Sequence, residues 1–587
     1  MERFIDVFSI IPQISIHASS NRTICISIYK DIVKGNFRDF DDYIKEAIQR
    51  FKSKLSRHPK RVKLLLQKCN GIDLQVLQTF LKLFNKTLRY IKHFQVSLED
   101  CEDAQKLQFK KIITQISRCF REIISYTFEF KVCSNLTNQV INQIISSVVV
   151  SSHHLKSLHF NISRCKLFGE IGMMLNLRKI TNLHNLSMNF NSCNSQVIGT
   201  LSGPNKILDR ESKLKSLVLR FQATDQINSN FLVEIGSALT RSFRKLENFS
   251  LNLPGLKQIQ DSDLKKFTKI LSSNSLQRFL LNLTGCTQLT GSALDGLSKI
   301  ISENLKVFVL SLEGLELITA PKIGNLSMCF TENLKSLESL SFNFSGCSQL
   351  DDTNALHILN HMVFNLQSLK ALALDFSHCE KLTDQILEPL NSGLYKFRFA
   401  LENFTCKFRG LSKLTEHGIN KLLKNINNLP KLTSLVIDFS LCKLLTDSNL
   451  MQAISKPLDI RDLSLSFYSC KQVTGNSLTT FATGSATFLP KLQNLNLNLS
   501  NCKLLTPDDI FKSIKTLTLN QINLRSLTMD LRMSSDEIDA THIKNWTEYL
   551  FRNDLNHLKD VHILYTENYY GGYLFGQIPK DPCHLNF

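Results

Sequence analysis

The sequence predicts an α/β solenoid with a parallel inner sheet and outer helices. Three observations carry that prediction. A leucine-spaced motif recurs at a near-constant interval through most of the chain. Within each unit an alternating apolar stretch gives way to a turn and then to apolar residues at helical spacing. At 587 residues the chain is also too long for one growing core, so it is either several globular domains or one elongated array. Composition fits a folded chain, with 43% hydrophobic and 21% charged residues, and excludes extensive disorder. With 12 Pro and 22 Gly in the whole length, breakers are too few for a many-turned barrel or sandwich.

The repeat is plainest in Leu337-Glu-Ser-Leu340-Ser-Phe-Asn-Phe344, Leu369-Lys-Ala-Leu372-Ala-Leu-Asp-Phe376 and Leu432-Thr-Ser-Leu435-Val-Ile-Asp-Phe439. Its first position recurs at Leu155, Leu183, Leu214, Leu246, Leu276, Leu305, Leu337, Leu369, Leu401, Leu432, Ile460, Leu492, Leu524 and Leu558. The shortest interval is 28 residues, as from Leu155 to Leu183, and the longest 34, from Leu524 to Leu558. The period-2 stretch reads as a strand, because alternate side chains face one side of a sheet. A turn follows, Cys-x-x-Leu-Thr-[Asp/Gly] in the clearest units, as at Cys379 to Asp384, Cys442 to Asp447 and Cys286 to Gly291. The Thr is a suitable N-cap, and apolar residues such as Ala293, Leu294, Leu297 and Ile301 then take helical spacing. One strand-turn-helix unit cannot bury both of its apolar faces, so stacking is obligatory.

This pattern resembles the long leucine-rich repeats of the ribonuclease-inhibitor-like class. Its turn cysteine is similar to that of the cysteine-containing subclass found in many substrate-receptor and scaffold proteins, with two more residues between Leu340 and Cys347 than that subclass spacing. The resemblance covers roughly residues 155–570 and implies a leucine-rich-repeat horseshoe that binds partners.

Organisation follows from how well the motif holds. Residues 1–58 read as an N-terminal capping element, with a strand at Ile24 to Ile28 and an apolar helical face from Phe40 to Leu55 behind Asp39. Residues 59–154 read as degenerate repeats, anchored on Val62, Leu88-Arg-Tyr-Ile91 and Phe120-Arg-Glu-Ile123; 155–565 form the solenoid proper. Residues 566–587 read as a C-terminal tail whose aromatics, among them Tyr569, Tyr573 and Phe575, would cover the last repeat.

Candidate chemistry is sparse. The sequence has no phosphate-cradling G-x-x-x-x-G-K-[ST], no H-E-x-x-H and no G-x-S-x-G. Cys165, Cys193, Cys286, Cys347, Cys379, Cys442, Cys470 and Cys502 share one register, which is either a thiol ladder for a soft metal or a small apolar packing slot. Thr224, Leu256, Leu315 and Leu411 occupy the slot elsewhere and favour packing. The pair His153-His154 reads as solvated. Catalytic, cofactor and metal sites are accordingly expected to be absent.

Two surfaces are candidates for binding. On the concave face the second outward column includes Asn343, Asp375, Lys407 and Asp438. Its neutral-to-acidic character argues against nucleic acid there, since phosphate neutralisation needs stacked Lys and Arg. The bland alternative is an Asn/Ser ladder bonding between strands. The formal net charge of +19 concentrates in Arg50, Lys52, Lys54, Arg57, Lys60, Arg61, Lys63 and Lys68, a stretch with no Asp or Glu. It would dock an acidic protein tail, an anionic lipid surface or RNA, or be a solvated face.

No basic segment followed by an apolar core opens the chain, no run of about 18 apolar residues occurs, and 16 cysteines without a secretory signal imply reduced thiols. Triplets such as Asn161-Ile-Ser, Asn282-Leu-Thr and Asn498-Leu-Ser fall inside the strand motif and read as structural. The expectation is a cytoplasmic, non-enzymatic protein-interaction scaffold without cofactor, whose partners are other proteins. The alternative is a regulatory subunit, such as a GTPase activator or a ubiquitin-ligase substrate receptor.

Overall fold

A computed structural model describes residues 4–11, 14–19, 23–29, 60–68, 91–101, 111–114, 116, 122–151, 154–165, 182–192, 213–222, 232–233, 235–236, 245–271, 276–300, 303–318, 334, 336–366, 368–535, 537–550, 555, 557–569 and 572–579. The chain divides into two compact units, Met1–Cys286 and Thr287–Phe587.

Unit 1 opens with an antiparallel meander, β1 (Phe4–Ile11), β2 (Ile14–Ser19) and β3 (Thr23–Tyr29). From β3 to β11 neighbouring strands pair in parallel, in the order β4 (Arg61–Gln67), β5 (His93–Glu99), β6 (Ser125–Lys131), β7 (Ser157–Ser163), β8 (Asn185–Asn191), β9 (Ser216–Gln222), β10 (Asn248–Asn252) and β11 (Arg278–Asn282). Parallel neighbours require a crossover, supplied by helices such as α1 (Asn138–Ser151) after β6 and α2 (Asp261–Leu271) after β10. The strand expected at Ile24 to Ile28 lies within β3. The expected helix from Phe40 to Leu55 lies outside the described residues, as do Leu88 and Phe120.

The register sets the phase of the degenerate repeats. Ile91 and Ile123 stand two residues before β5 and β6, as Leu155 does before β7, and all three are buried. The weak repeats therefore begin three residues later than Leu88 and Phe120 would have them. Their buried positions on the strands are Phe94, Val96, Tyr126 and Phe128, and the strong leucine signal is absent because aromatics and Val fill these positions equally well.

Unit 2 continues the plan with β12 (Val307–Ser311), β13 (Ser339–Asn343), β14 (Ala371–Asp375), β15 (Asn403–Lys407), β16 (Ser434–Asp438), β17 (Asp462–Ser466), β18 (Asn494–Asn498), β19 (Ser526–Asp530) and β20 (Asp560–Tyr569), parallel throughout. A last strand, β21 (Gly572–Pro579), turns back antiparallel on β20. The crossovers hold α3 (Asp352–Asn365), α4 (Leu387–Phe397), α5 (Glu416–Ile426), α6 (Asp447–Gln452), α7 (Gly475–Phe488), α8 (Pro507–Asn520) and α9 (Ala540–Leu550). Residues Gly291–Lys299 form a 3-10 helix instead of an α-helix. Leu294 and Leu297 are buried there, because a spacing of three repeats on one face at three residues per turn.

Each strand alternates buried and half-buried side chains, so one face meets the helices and the other stays open. The final motif position builds a spine: Phe344, Phe376, Phe408 and Phe439 stack at centroid spacings of 5.7, 6.4 and 5.8 Å with rings within 10° of parallel. Such pairs add roughly 0.5–1.5 kcal/mol each beyond area burial. Thr290, Thr383, Thr415, Thr446, Thr474 and Thr506 cap the helical segments that follow them, each hydroxyl accepting a backbone N–H.

The residue after the cap latches adjacent repeats. Asp352 accepts from the Thr383 backbone N–H at 2.9 Å and from its hydroxyl at 2.7 Å. Asp384 does the same for Thr415, with the N–H at 2.8 Å. Glu416 accepts from the hydroxyls of Thr446 and Ser448, and Asp447 holds Thr474 through both its N–H and its hydroxyl. The series stops at Gly475, which stands where the next acid would be.

Candidate functional site

The candidate site is the open face of the sheet. In unit 2 its middle column runs Ser341, Ala373, Thr405, Val436, Ser464 and Asn496 in register. These side chains are short, so a partner can approach the sheet closely. Beside them, Asn343, Asp375, Lys407 and Asp438 form one row across β13 to β16, which brings the four predicted concave-face residues together.

Much of that row is already committed to local structure. Oδ1 of Asn343 accepts the Ser345 N–H at 2.9 Å, Asp375 that of Ser377 at 3.0 Å, and Asp438 that of Ser440 at 2.8 Å. Asn282, Asn498 and Asp530 repeat the bond with the residue two further on. These are Asx turns, in which a short polar side chain satisfies the backbone as the strand ends. They lead into a left-handed residue ahead of the turn position: Gly346 has φ 71°, His378 φ 60° and Leu441 φ 63°. The Asn-x-Ser/Thr triplets at Asn282, Asn343 and Asn498 are therefore turn signatures. Cross-strand bonds of the ladder kind occur too, as from Asn189 Nδ2 to Asn161 Oδ1 at 3.1 Å. What the row offers a partner is the remaining set of atoms. Asn343 Nδ2 donates to Glu313 at 3.1 Å, and Lys407 Nζ lies 3.5 Å from Asp375.

The thiols have a bonding role that sequence reasoning missed. Cys347, Cys379, Cys442 and Cys502 are fully buried, and each Sγ donates to a backbone carbonyl of the preceding repeat, at Leu312, Phe344, Phe408 and Phe467, over 3.1 to 3.2 Å. The same slot holds Cys101 and Cys133 in the weak repeats, donating to Leu66 and Leu98. Burial pushes the Cys347, Cys442 and Cys502 thiols up to about 12, so they are protonated donors at neutral pH and not nucleophiles. Among the described residues no group of His, Cys, Asp and Glu is arranged to hold a metal. Cys193, Thr224 and His153 lie outside the described residues, and His154 is exposed.

Of the basic cluster, Arg50, Lys52, Lys54 and Arg57 lie outside the described residues. Lys60 and Arg61 are exposed, Lys63 is half-buried, and Lys68 is exposed with φ 53°. Arg61 and Lys63 alternate with the buried Val62 and Leu64, so both stand on the open face of β4. Their field reaches the next strand: His93, paired with Arg61, is held below the usual histidine range by burial and then by Arg61, Lys92, His159 and Lys60.

Among the described residues no helix is long and apolar enough to cross a membrane. Strand, left-handed turn and capped helix, stacked in register within each unit, define an α/β solenoid plan, which fits the leucine-rich repeats expected from the sequence. No protein-family model matches the chain, and no curated protein does. Among solved structures it is similar to one described as the crystal structure of the Rad7 and Elc1 complex in yeast, at 16% identity and a TM-score of 0.40 over 85% of this chain and 90% of that one.

Proposed function

We propose that the chain is a non-enzymatic protein-interaction scaffold of the ribonuclease-inhibitor-like repeat class, in a cysteine-containing variant, that binds partners on the open face of its sheet. The carrying observation is that face in unit 2, where small side chains at Ser341, Ala373, Thr405 and Val436 leave it free for close approach. Asn343, Asp375, Lys407 and Asp438 border it as polar contacts. In unit 1 the cations Lys60, Arg61, Lys63 and Lys68 offer a docking surface for acidic partners. Thiols that act as protonated donors support a reducing, cytoplasmic setting.

The test places charge where a partner would sit. Ala373→Glu combined with Val436→Glu keeps the buried face intact, because both positions point away from the core. Partners recovered with the wild-type chain should be lost from this variant at unchanged thermal stability. Retention of every partner would refute the open-face reading. A small GTPase or a ligase adaptor among those partners would select the regulatory-subunit alternative.

A further inference from the structure

On the helix side of unit 2, three consecutive repeats leave a cleft of about 440 Å³. One wall is the end of α4 with the residues that follow it, Leu394, Tyr395, Arg398 and Phe399; the other comes from Asn425 in the last turn of α5 and Asn427 and Pro430 after it, with Pro457 and Leu458 of the next repeat. Tyr395 is 67% exposed and Phe399 63%, although Leu387, Leu390, Leu394 and Phe397 of the same helix are buried. The Arg398 guanidinium lies 4.1 Å from the Tyr395 ring centroid and 4.6 Å from that of Phe399, which holds the two rings in place.

A buried polar group at this cleft is incomplete. Asn427 is 4% exposed, and its Nδ2 donates to the Gln452 carbonyl at 2.8 Å and the Ser455 hydroxyl at 2.7 Å. Those two bonds fix the amide, yet its Oδ1 is buried with no partner.

Charge identifies the kind of ligand. Arg398 is the one charged side chain among the residues that line the cleft, Lys456 adjoins the lining Pro457, and Asp459 beyond Leu458 is already paired with Lys491 at 2.5 Å. Lys456 reaches Asn428 on the cleft wall at 2.7 Å. Exposed aromatics beside an arginine, with prolines and a cationic rim, have the composition of a protein-binding hot spot.

We propose that this cleft docks an extended acidic segment of a partner protein. One apolar side chain packs against Tyr395 and Phe399, and flanking carboxylates meet Arg398 and Lys456. The site is separate from the open sheet face, so its failure leaves the scaffold reading standing.

The experiment selects short random peptides on the full-length chain and measures the binding of the recovered sequences by fluorescence anisotropy. Peptides with more Asp and Glu than Lys and Arg, and with an aromatic or branched aliphatic residue, should be enriched. Their affinity should fall about tenfold or more for Tyr395→Ala combined with Phe399→Ala, and for Arg398→Glu. Tyr395 and Phe399 are exposed and Arg398 is half-buried, all outside the core, so melting temperatures should not move. Absence of enrichment, recovery of neutral or basic peptides, or equal binding to the variants would overturn the proposal. So would loss, in these variants, of binding to phosphatidylserine vesicles or poly-uridine RNA without selected peptides.

Discussion

Asp384→Ala tests whether the carboxylate latch couples neighbouring repeats. Asp384 accepts two bonds from Thr415, the backbone N–H at 2.8 Å and the hydroxyl. Bonds to a charged group contribute roughly 1.5–3 kcal/mol when buried. These are partly buried and water replaces some of the loss, so about 1–2 kcal/mol is expected. Thr415 keeps its cap on α5, since its hydroxyl still accepts the Gly418 N–H at 3.3 Å. Gly418 supplies the sharper test. A Cβ there would come within 2.4 Å of the Asp384 carboxyl carbon, and the two bonds to Thr415 prevent that group from moving away. Gly418→Ala should therefore destabilise the wild-type chain. In the Asp384→Ala background the obstruction is gone, and the same change should stabilise by up to about 1 kcal/mol through helix propensity. Urea unfolding of the four proteins, with hydrogen exchange at the start of α5, reads the cycle. An equal penalty for Gly418→Ala in both backgrounds would refute the latch.

Two further outcomes concern the thiols. Cys379→Ala should cost about 1–2 kcal/mol in thermal unfolding, since it removes a donor 3.1 Å from the Phe344 carbonyl and leaves a small void. Cys379→Ser should cost less because its hydroxyl also donates, and a serine variant as unstable as the alanine one would show that the bond contributes nothing. The second outcome is alkaline sensitivity. The unfolded thiols titrate near 9 and those of Cys347, Cys442 and Cys502 near 12 when folded. Between these values the native state binds more protons, so stability is full below pH 9 and falls as pH rises. The slope is up to about 1.4 kcal/mol per pH unit for each thiol. Urea midpoints across this range measure it, and replacing the three residues with Ala should flatten the decline.

The repeat signals that act within one unit were legible in the sequence. Alternation from Ser339 to Asn343, the stacked Phe344 and the Thr383 cap are all decided by residues a few positions apart, so their spacing alone reports them. The candidate row Asn343, Asp375, Lys407 and Asp438 was legible as a column for the same reason. The Asx bond that occupies three of its four residues follows a two-residue spacing that Asn282-Leu-Thr and Asn498-Leu-Ser display.

Tertiary structure decided whatever joins one unit to the next. Asp384 meets Thr415 at a separation of 31 residues, and the Cys379 thiol meets the Phe344 carbonyl at 35. No local pattern marks either pair, because stacking alone brings them within bonding distance. The cleft lined by Tyr395, Asn427 and Pro457 depends in the same way on three repeats lying side by side. The sequence determined by itself that strands and helices alternate and which side chains turn inward, since burying apolar area depends on periodicity within each unit. Directional bonds between units depend on distances that exist only once the chain has stacked.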